Sequence, residues 1–385
     1  MFRNPKIVIR LILFILAFAL AVFSFTYGVK QIGHREPGWQ TIEVDAQKGH
    51  VTYTGGLTFM YWAEGSDAAI RELSDNVKKV YSDSLYRNVE LLDARNTYED
   101  SVNLASLNER EGQVVTVSER LGKVLKEALN QTGENAGYSV FAGTLWNEWQ
   151  TLLYLDEPQP FDPAVNEEQA AKIRKLVELI NAPDTFSLEI TEKGSETEVC
   201  FRTSPEYRQV MEELEITAPA LDLGVMRDAV LMDLVAEDLC AAGYTEGVLY
   251  SKTGLAVLCG KGRTLTVFPE EDERPETSLT VTGPAVTLRF SASEPGTDNY
   301  GAYEAAGMKR HAFFDTRTGD FHNRIEDAVI AGEGISARET VRQMLLLNCA
   351  DDPETIDWPD SMKGLWTLQG DTEGTVYASA GKRTE

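Results

Sequence analysis

Apolar residues recur every three or four positions along several stretches of the chain, a spacing that places them on one face of an α-helix. The clearest stretch follows Ser66 and Asp67, which are good helix N-caps. Its apolar face comprises Ile70, Leu73, Val77, Val80, Leu85 and Val89. Thr116 and Glu119 have the spacing of a capping box, so a second helix is predicted to open there. The same periodicity predicts helices at three further stretches: 166–181, 226–242 and 336–348.

Other stretches alternate apolar and polar residues, or form short apolar runs between turns, which is typical of β-strands. Phe186, Leu188 and Ile190 alternate in this way and lead through a Lys193-Gly194 turn to a second apolar run, so a hairpin is predicted. Single strands are predicted at 57–62, 247–251, 255–259, 264–268 and 286–290. Helices and strands intermix without a regular strand–helix–strand period, which favours an α+β fold over a doubly wound one.

The first apolar run, residues 11–27, is longer than the strand-like runs and contains no charged residue. About 17 to 20 apolar residues suffice to cross a bilayer as one helix. Arg3, Lys6 and Arg10 precede the run, and such cations resist translocation, so the N-terminus is expected to stay in the cytoplasm. The predicted organisation is a cytoplasmic N-terminus at 1–10, a transmembrane helix at 11–29, a tether at 30–50 and one extracytoplasmic domain at 51–385.

A cleaved secretory signal is the alternative for the same segment. Ala17, Ala19 and Ala21 supply the small residues that a signal peptidase needs. Val22 and Phe23 continue the apolar run beyond them, which favours a retained anchor. Either way, the rest of the chain is exported, as a single-pass membrane protein or as a secreted one.

The charge balance narrows the possible partners. The chain has 61 acidic and 36 basic residues and a formal net charge of −25. Binding to phosphate backbones needs clustered Lys and Arg, so an acidic surface of this kind argues against nucleic-acid binding. Hydrophobic residues make up 43% of the chain and charged residues 25%, a balance that predicts a folded core rather than disorder.

The four cysteines carry no recognisable pattern. Cys200, Cys240, Cys259 and Cys349 are widely spaced and are predicted to be small buried residues. A disulfide between two of them is the alternative in an oxidising compartment, and the sequence does not pair them. Structural zinc is not expected, because the usual ligand spacing is absent.

Four segments share their order and pattern with one enzyme family. The first is 92–108, with Leu92-Asp93 and Leu107-Asn108 at its ends, and the second is 135–146, which begins Asn-Ala-Gly-Tyr-Ser. The third, 221–243, begins Leu-Asp-Leu-Gly, and the fourth, 311–319, reads His-Ala-Phe-Phe-Asp-Thr-Arg-Thr-Gly, with Ser-Ala-Arg-Glu-Thr following at 336–340. Together these segments resemble the FAD:protein FMN transferase family, in particular its "iDLGgiaKG", "HiiDprTG" and "aDalaT" motifs.

The resemblance implies a single large mixed α/β domain of the flavin-transferase type. It further implies an enzyme that binds FAD with Mg²⁺, moves FMN onto a Thr or Ser hydroxyl of a partner protein and releases AMP. A membrane redox protein is the expected acceptor or partner. Matching residue by residue places His311 and Asp315 at the catalytic centre and Ser336 and Thr340 at the metal. The implied cofactor contacts are Asp222, Gly224, Arg227, Lys252, Gly254 and Thr318.

The chain departs from the family pattern at three elements. Asp228 stands where the family has a phosphate-facing Lys, and this charge reversal would repel a pyrophosphate unless Arg227 or Lys252 replaces the cation. The family's "lGGD" loop aligns with Ser251-Lys252-Thr253-Gly254. Ser336 replaces a metal-binding Asp, so no anionic ligand offsets the dehydration of Mg²⁺. Ordinary Mg²⁺·FAD chemistry is therefore expected to be weakened or lost.

Three functions remain open on the sequence. The first is FMN transfer, the second is a non-catalytic extracytoplasmic binding or scaffold role in a membrane redox system, and the third is hydrolysis of FAD to FMN and AMP. The site residues have structural alternatives as well. His311 fits a buried strand-capping histidine, and Asp315 fits a side-chain-capped turn. Asp222 fits a loop-to-helix junction. Tyr138 and Trp146 fit either a flavin-stacking pair or the core.

Overall fold

The structure is a computed structural model that describes residues 36–43, 56–133, 137–194, 196–267, 278–292, 301–371, 375–379 and 381–383. The predicted transmembrane helix or signal at 11–29 lies outside these residues. Among the described residues, none of the helices combines the length and the apolar character needed to span a bilayer. Part of the predicted tether is a strand, Gly38–Glu43.

The described residues divide into two compact units, one containing 36–40 and 62–78 and the other containing the described parts of 41–61 and 79–385. In the first unit the indole rings of Trp39 and Trp62 meet edge to face, with 5.6 Å between their centroids. The second unit contains the candidate site.

The described residues form eight α-helices. They are α1 Asp67–Leu91, α2 Leu104–Glu109, α3 Glu119–Gln131, α4 Gly143–Leu153, α5 Glu167–Asn181, α6 Pro205–Glu213, α7 Arg227–Ala241 and α8 Ala337–Cys349. The predicted helices after Ser66 and at 166–181, 226–242 and 336–348 are confirmed to within one residue at each end where bounds were given.

The predicted capping box at Thr116 is wrong. Thr116 lies in a strand, because Val115 and Val117 are buried and the run pairs with a neighbouring strand through Ser118. Ser118 is the true N-cap of α3, and its Oγ accepts a hydrogen bond from the backbone N–H of Leu121.

The described residues also form sixteen strands. They are β1 Gly38–Glu43, β2 Thr58–Ala63, β3 Val114–Ser118, β4 Phe186–Lys193, β5 Glu196–Thr203, β6 Gly247–Tyr250, β7 Leu255–Cys259, β8 Thr264–Val267, β9 Leu279–Thr282, β10 Ala285–Ser291, β11 Tyr303–Ala305, β12 Met308–Arg310, β13 Ile325–Glu333, β14 Met362–Leu368, β15 Val376–Ala378 and β16 Gly381–Arg383. Every predicted strand and the predicted hairpin are confirmed.

The main sheet has nine strands in the order β1-β2-β6-β7-β10-β13-β14-β15-β16. The ladders of β6, β7, β10, β13, β14 and β15 are all antiparallel, as expected of an α+β fold. Helices α7 and α8 pack on one another, and α8 also packs on β10 and β13. A smaller sheet has the order β3-β5-β4 and contains the predicted hairpin.

A fully buried ion pair joins two distant parts of the second unit. Arg310 donates to both carboxylate oxygens of Asp162, from Nε at 2.9 Å and from Nη2 at 3.0 Å. The side chains of Arg310 and Asp162 are 2% and 0% exposed. Tyr303 donates a further hydrogen bond to Asp162 at 2.8 Å, and the Arg310 guanidinium lies over the rings of Trp149 and Phe321.

A second ionic network joins α1, α3 and α7. The Asp238 carboxylate of α7 accepts two hydrogen bonds from Arg120 of α3, at 2.7 and 2.9 Å. Ser84, Arg87 and Asn88 of α1 donate to the same carboxylate. The Asp238 carboxylate thereby connects α1, α3 and α7 through hydrogen bonds.

All four cysteines are free thiols. The prediction that they are buried is confirmed for Cys200, Cys259 and Cys349, whereas Cys240 is exposed because it lies on the outer face of α7. The thiols of Cys240 and Cys259 are hydrogen-bonding neighbours, and burial together with Cys240 raises the pKa of Cys259 to about 12.

Candidate functional site

Three of the four family-like segments meet around one small cavity. Its volume is about 20 Å³, which is room for about one water molecule. The cavity is narrow because the rings of Trp146 and Phe314 stack against each other, with 5.9 Å between centroids and 20° between planes. The lining comprises Gly137, Tyr138, Ser139, Ala142, Trp146, Asp222, Gly224, Val225, Ala312, Phe314, Thr316 and Leu345.

Asp222 and Gly224 form the turn that leads into α7. The Asp222 carboxylate accepts a hydrogen bond from the Gly224 N–H at 2.8 Å, and the Asp222 N–H donates to the Val140 carbonyl at 3.0 Å. Gly224 has φ of +53°, which a glycine adopts without strain. Burial raises the pKa of Asp222, against the opposing effects of the Gly224 N–H and the Arg227 charge. Asp222 is therefore both a loop-ordering group and a titratable carboxyl at the cavity.

Helix α4, which carries Trp146, is held against the chain just before Asp222. The Gly143 N–H donates to the Ala220 carbonyl at 3.0 Å. A Cβ placed on Gly143 would lie 2.4 Å from the Pro219 carbonyl oxygen. No side chain fits there, because the obstacle is backbone.

Replacing Gly143 with Ala is expected to lower the free energy of unfolding by about 1–3 kcal/mol, because α4 and the 219–222 segment must separate. Urea unfolding measures the change. Gly133→Ala is the matched control, since a Cβ at Gly133 meets no atom within 4 Å, and a change within about 0.5 kcal/mol is expected there. Equal effects at Gly143 and Gly133 would contradict the close approach.

Tyr138 brings a hydroxyl group to the cavity, next to the rings of Trp146 and Phe314. The residue is 4% exposed, and its hydroxyl makes no hydrogen bond to any residue that the structure describes. Burial, with the neighbouring Asp222 charge, raises the pKa of Tyr138. An unsatisfied buried hydroxyl is costly, so this atom suits a water or a ligand oxygen.

His311 lies directly behind the cavity wall. It is 5% exposed and does not line the cavity, although Ala312 next to it does. Its Nδ1 accepts a hydrogen bond from the Phe313 N–H at 3.2 Å. Burial, and then the Arg310 and Lys309 charges, lower the pKa of His311 to about 3. His311 is therefore neutral at physiological pH, with its ring proton on Nε2.

Asp315 and Thr318 form a tight turn. Asp315 accepts from the Arg317 N–H at 2.8 Å through Oδ1, and the Gly319 N–H donates to the Asp315 carbonyl at 2.7 Å. Burial would raise the pKa of Asp315, but hydrogen bonds from Arg317 outweigh burial and lower it. Thr318 is exposed, and its Oγ1 accepts from the Asp320 N–H. Both residues have the geometry of a side-chain-capped turn.

No family model matches the sequence, and no curated protein matches it. Solved structures do match. The ApbE protein of Thermotoga maritima superposes with a TM-score of 0.57 at 13% identity, covering 90% of this chain and 100% of its own. The flavin transferase ApbE from Vibrio cholerae superposes with a TM-score of 0.55 at 16% identity, covering 90% of this chain and 97% of its own.

The chain has the ApbE fold. This confirms the fold expected from the resemblance of the four segments. The ApbE likeness extends far beyond those segments, because it takes in 90% of the chain. At 13–16% identity it is a likeness of fold.

Within the ApbE fold, Lys252 and Gly254 belong to the turn between β6 and β7 and do not line the cavity. Lys252 is exposed. Gly254 has φ of +84°, and a Cβ there would lie 2.2 Å from the Arg289 carbonyl oxygen. The glycine therefore serves the packing of this turn against β10.

Arg227 begins α7, and Asp228 follows it. Arg227 is half-buried, and its charge acts on the carboxyl of Asp222. Asp228, at the position where the resemblance expects a phosphate-facing Lys, is 1% exposed. The position where the resemblance expects a Lys therefore holds a buried carboxyl, and the half-buried cation lies one residue earlier.

Ser336 and Thr340, the predicted metal ligands, form the first turn of α8. The Ser336 Oγ accepts from the Glu339 N–H and donates to a Glu339 carboxylate oxygen at 2.8 Å. The Thr340 Oγ1 donates to the Ser336 carbonyl at 3.1 Å. Asp233 of α7 also accepts from the Ala337 N–H at 2.7 Å. As arranged, the Ser336 hydroxyl caps α8 and the Thr340 hydroxyl bonds back to a carbonyl of the same turn, and neither supplies the carboxylate ligand by which Mg²⁺ is usually bound.

A larger pocket lies beside α4, and no motif in the sequence pointed to it. This pocket has a volume of about 390 Å³, which lies within the range of small-molecule sites. Arg95 and Lys172 contribute cationic groups, and Asn147 and Glu148, which directly follow Trp146 in α4, also line it. The remaining lining residues are Ala94, Glu215, Ile216, Thr217, Ala218 and Pro219.

Leu345 and Phe314 line the cavity, and neither was predicted from the sequence as a site residue. Leu345 follows the ordinary helical spacing of α8, which is typical of core. Phe314 lies within the His311–Gly319 segment, so the resemblance places it near the site. Its stacking on Trp146, however, depends on tertiary packing.

Proposed function

We propose that the protein acts on FAD as an ApbE-type flavin transferase, and that its acceptor is a Thr or Ser hydroxyl of a membrane redox protein outside the cytoplasm. The observation that carries the proposal is the meeting of three family-like segments at one cavity within an ApbE fold. In the reaction, the acceptor oxygen bonds to the FMN phosphorus and the pyrophosphate bond breaks. AMP leaves, and the hydroxyl proton passes to a base.

Asp222 is the residue proposed to receive that proton. Its carboxyl lies at the cavity, and burial raises its pKa, which brings a carboxyl closer to the range useful for proton transfer at neutral pH. His311 is less suited, because its pKa of about 3 makes it a weak base.

FAD binding requires movement of side chains at the cavity. A flavin ring does not fit a volume of about 20 Å³, so the stacked rings of Trp146 and Phe314 must separate. No step is assigned to Mg²⁺, because in this arrangement the Ser336 and Thr340 hydroxyls hydrogen-bond to groups in the first turn of α8.

A second candidate is a non-catalytic binding or scaffold role in a membrane redox system. Three observations favour it: the narrowness of the cavity, the hydrogen bonding of the Ser336 and Thr340 hydroxyls within α8, and the buried Asp228 at the expected Lys position. Hydrolysis of FAD, with water as the acceptor, would use the same site as transfer.

Titration of the full chain in mild detergent with FAD, followed by flavin fluorescence, tests the proposal. We expect a dissociation constant below about 10 μM, worth roughly 7 kcal/mol. Asp222→Asn is expected to keep binding and to lower AMP release by at least about 100-fold, because it removes the base. Asp156→Asn, at an exposed position, is the matched control and should behave as the parent chain. The titration is repeated with and without Mg²⁺.

The outcomes separate the candidates. AMP release that requires an acceptor protein supports transfer, whereas AMP and free FMN without an acceptor support hydrolysis. Binding without AMP release supports the scaffold role. Absence of binding at about 100 μM FAD would refute a flavin site altogether.

A further inference from the structure

Three potential metal ligands meet behind the turn at Asp315. The ligand atoms of Asp315, His322 and Cys349 all lie within 4.8 Å of one another, and His322 Nε2 is 3.2 Å from Asp315 Oδ2. Asp315 and Cys349 are 0% and 6% exposed, and the His322 side chain is 19% exposed. The three residues come from a turn, from the segment that follows it and from the last residue of α8.

Each of these three ligand types binds zinc in proteins. Zn²⁺ binds thiolate sulfur at about 2.3 Å and imidazole nitrogen or carboxylate oxygen at about 2.0–2.2 Å, in tetrahedral geometry. Those bond lengths place the ligand atoms roughly 3.3–3.7 Å apart. The three atoms therefore need to move by only about 1 Å to reach zinc-binding distances.

We propose that Asp315, His322 and Cys349 bind one Zn²⁺ ion, with a water molecule in the fourth position. The thiolate and the carboxylate balance the charge of the ion, and the partly exposed imidazole edge gives it a route from solvent. The usual zinc spacing is absent because the ligands come from three separate segments.

Arg317 also contacts the Asp315 carboxylate, so a zinc ion has to bind Asp315 alongside Arg317. It donates from Nε to both Asp315 oxygens at 2.9 and 3.0 Å, and from Nη2 to Oδ2 at 2.5 Å. A carboxylate has about four acceptor positions. The side chain and backbone N–H of Arg317, together with His322, fill them, so the ion would take the position on Oδ2 that His322 Nε2 now faces. Arg317 thus orients the carboxylate, as partners of metal ligands commonly do.

The thiol must lose its proton when the metal binds. Burial, with the Asp315 charge, raises the pKa of Cys349, and Arg317 opposes this rise. A cysteine binds zinc as the thiolate, so formation of the Zn–S bond releases the thiol proton to solvent. The bound ion would tie the turn that follows Phe314 to the end of α8, and both Phe314 and Leu345 of α8 line the cavity.

The test begins with the full chain in detergent, dialysed against a chelator and then titrated with Zn²⁺ in competition with a chromophoric chelator. We expect one equivalent to bind with a dissociation constant below about 1 μM, and one proton to be released near neutral pH. Replacement by Co²⁺ is expected to give a thiolate-to-cobalt absorption band in the near ultraviolet. That band reports a sulfur ligand in the parent chain, so it does not depend on the folding of any variant.

Cys349→Ser and His322→Gln are each expected to weaken Zn²⁺ binding by more than about 100-fold, since loss of a mere partner of a ligand already costs about 10–100-fold. Cys240→Ser is the matched control, because Cys240 is an exposed thiol outside the cluster. Circular dichroism of the metal-free variants checks that they fold. The proposal is overturned by less than about 0.1 equivalent of bound zinc, by a missing thiolate band, or by unchanged affinity in both variants.

Discussion

Replacing Asp162 with Ala is expected to lower the free energy of unfolding by about 3–5 kcal/mol. The change leaves the Arg310 guanidinium, 2% exposed, as a buried charge without its carboxylate. Tyr303 loses its hydrogen-bond acceptor at the same time. Urea or guanidinium unfolding, followed by tryptophan fluorescence, measures the difference.

Two further variants show whether the charge or the packing is responsible. Asp156→Ala removes an exposed carboxylate and is expected to change the free energy by less than about 0.5 kcal/mol. The double variant Asp162→Leu/Arg310→Met replaces the pair with apolar groups and is expected to regain most of the loss. If the double variant is as unstable as Asp162→Ala, an uncompensated charge is not the cause.

Asp238→Asn is expected to destabilise the protein by about 2–3 kcal/mol at neutral pH, because it weakens charge-assisted hydrogen bonds to Arg120 and to three residues of α1. Burial would raise the pKa of Asp238, but hydrogen bonds from Arg120, Ser84 and Asn88 outweigh burial and lower it well below its usual range. Unfolding of parent and variant measured from pH 7 down to pH 2 gives the difference as a function of pH.

The sign of the pH dependence follows from the lowered pKa. The folded state holds the proton less tightly than the unfolded state, so the stabilisation is fully present above the unfolded pKa of about 4. It is lost as the pH falls below about 4 toward the folded value. The gap between parent and variant should therefore shrink in acid. Glu237→Gln is the control, because the Glu237 side chain next to Asp238 is 72% exposed. Its free energy of unfolding should differ little from that of the parent chain at any pH.

The periodic elements of the fold were predictable because their patterns are local. Helix α1 follows its apolar spacing from the Ser66 cap, and the β4–β5 hairpin follows its alternation. Strand β13 was not predicted, because Ala328 to Ala331 are all buried and an unbroken run of apolar residues shows no alternation. The prediction of a capping box at Thr116 failed for a different reason. The motif consists of only two residues at a fixed spacing, so it also occurs by chance in a strand.

The candidate site was predictable in part. Asp222, Gly224, Tyr138 and Trp146 lie together at the cavity, as the order of the family-like segments suggested. The closure of that cavity could not be foreseen, since it depends on how the rings of Trp146 and Phe314 meet in three dimensions. The use of the Ser336 hydroxyl in a cap likewise depends on the rotamer that Glu339 adopts.

The edges of the smaller sheet bear on the protein's behaviour at high concentration. Strand β3 is only five residues long, and β4 ends in the exposed charges of Glu192 and Lys193. A strand from another molecule that paired with β4 would have to strip water from these charges, and short or charged edges are known to resist such pairing. Together with a net charge of −25, these edges disfavour aggregation through sheet extension.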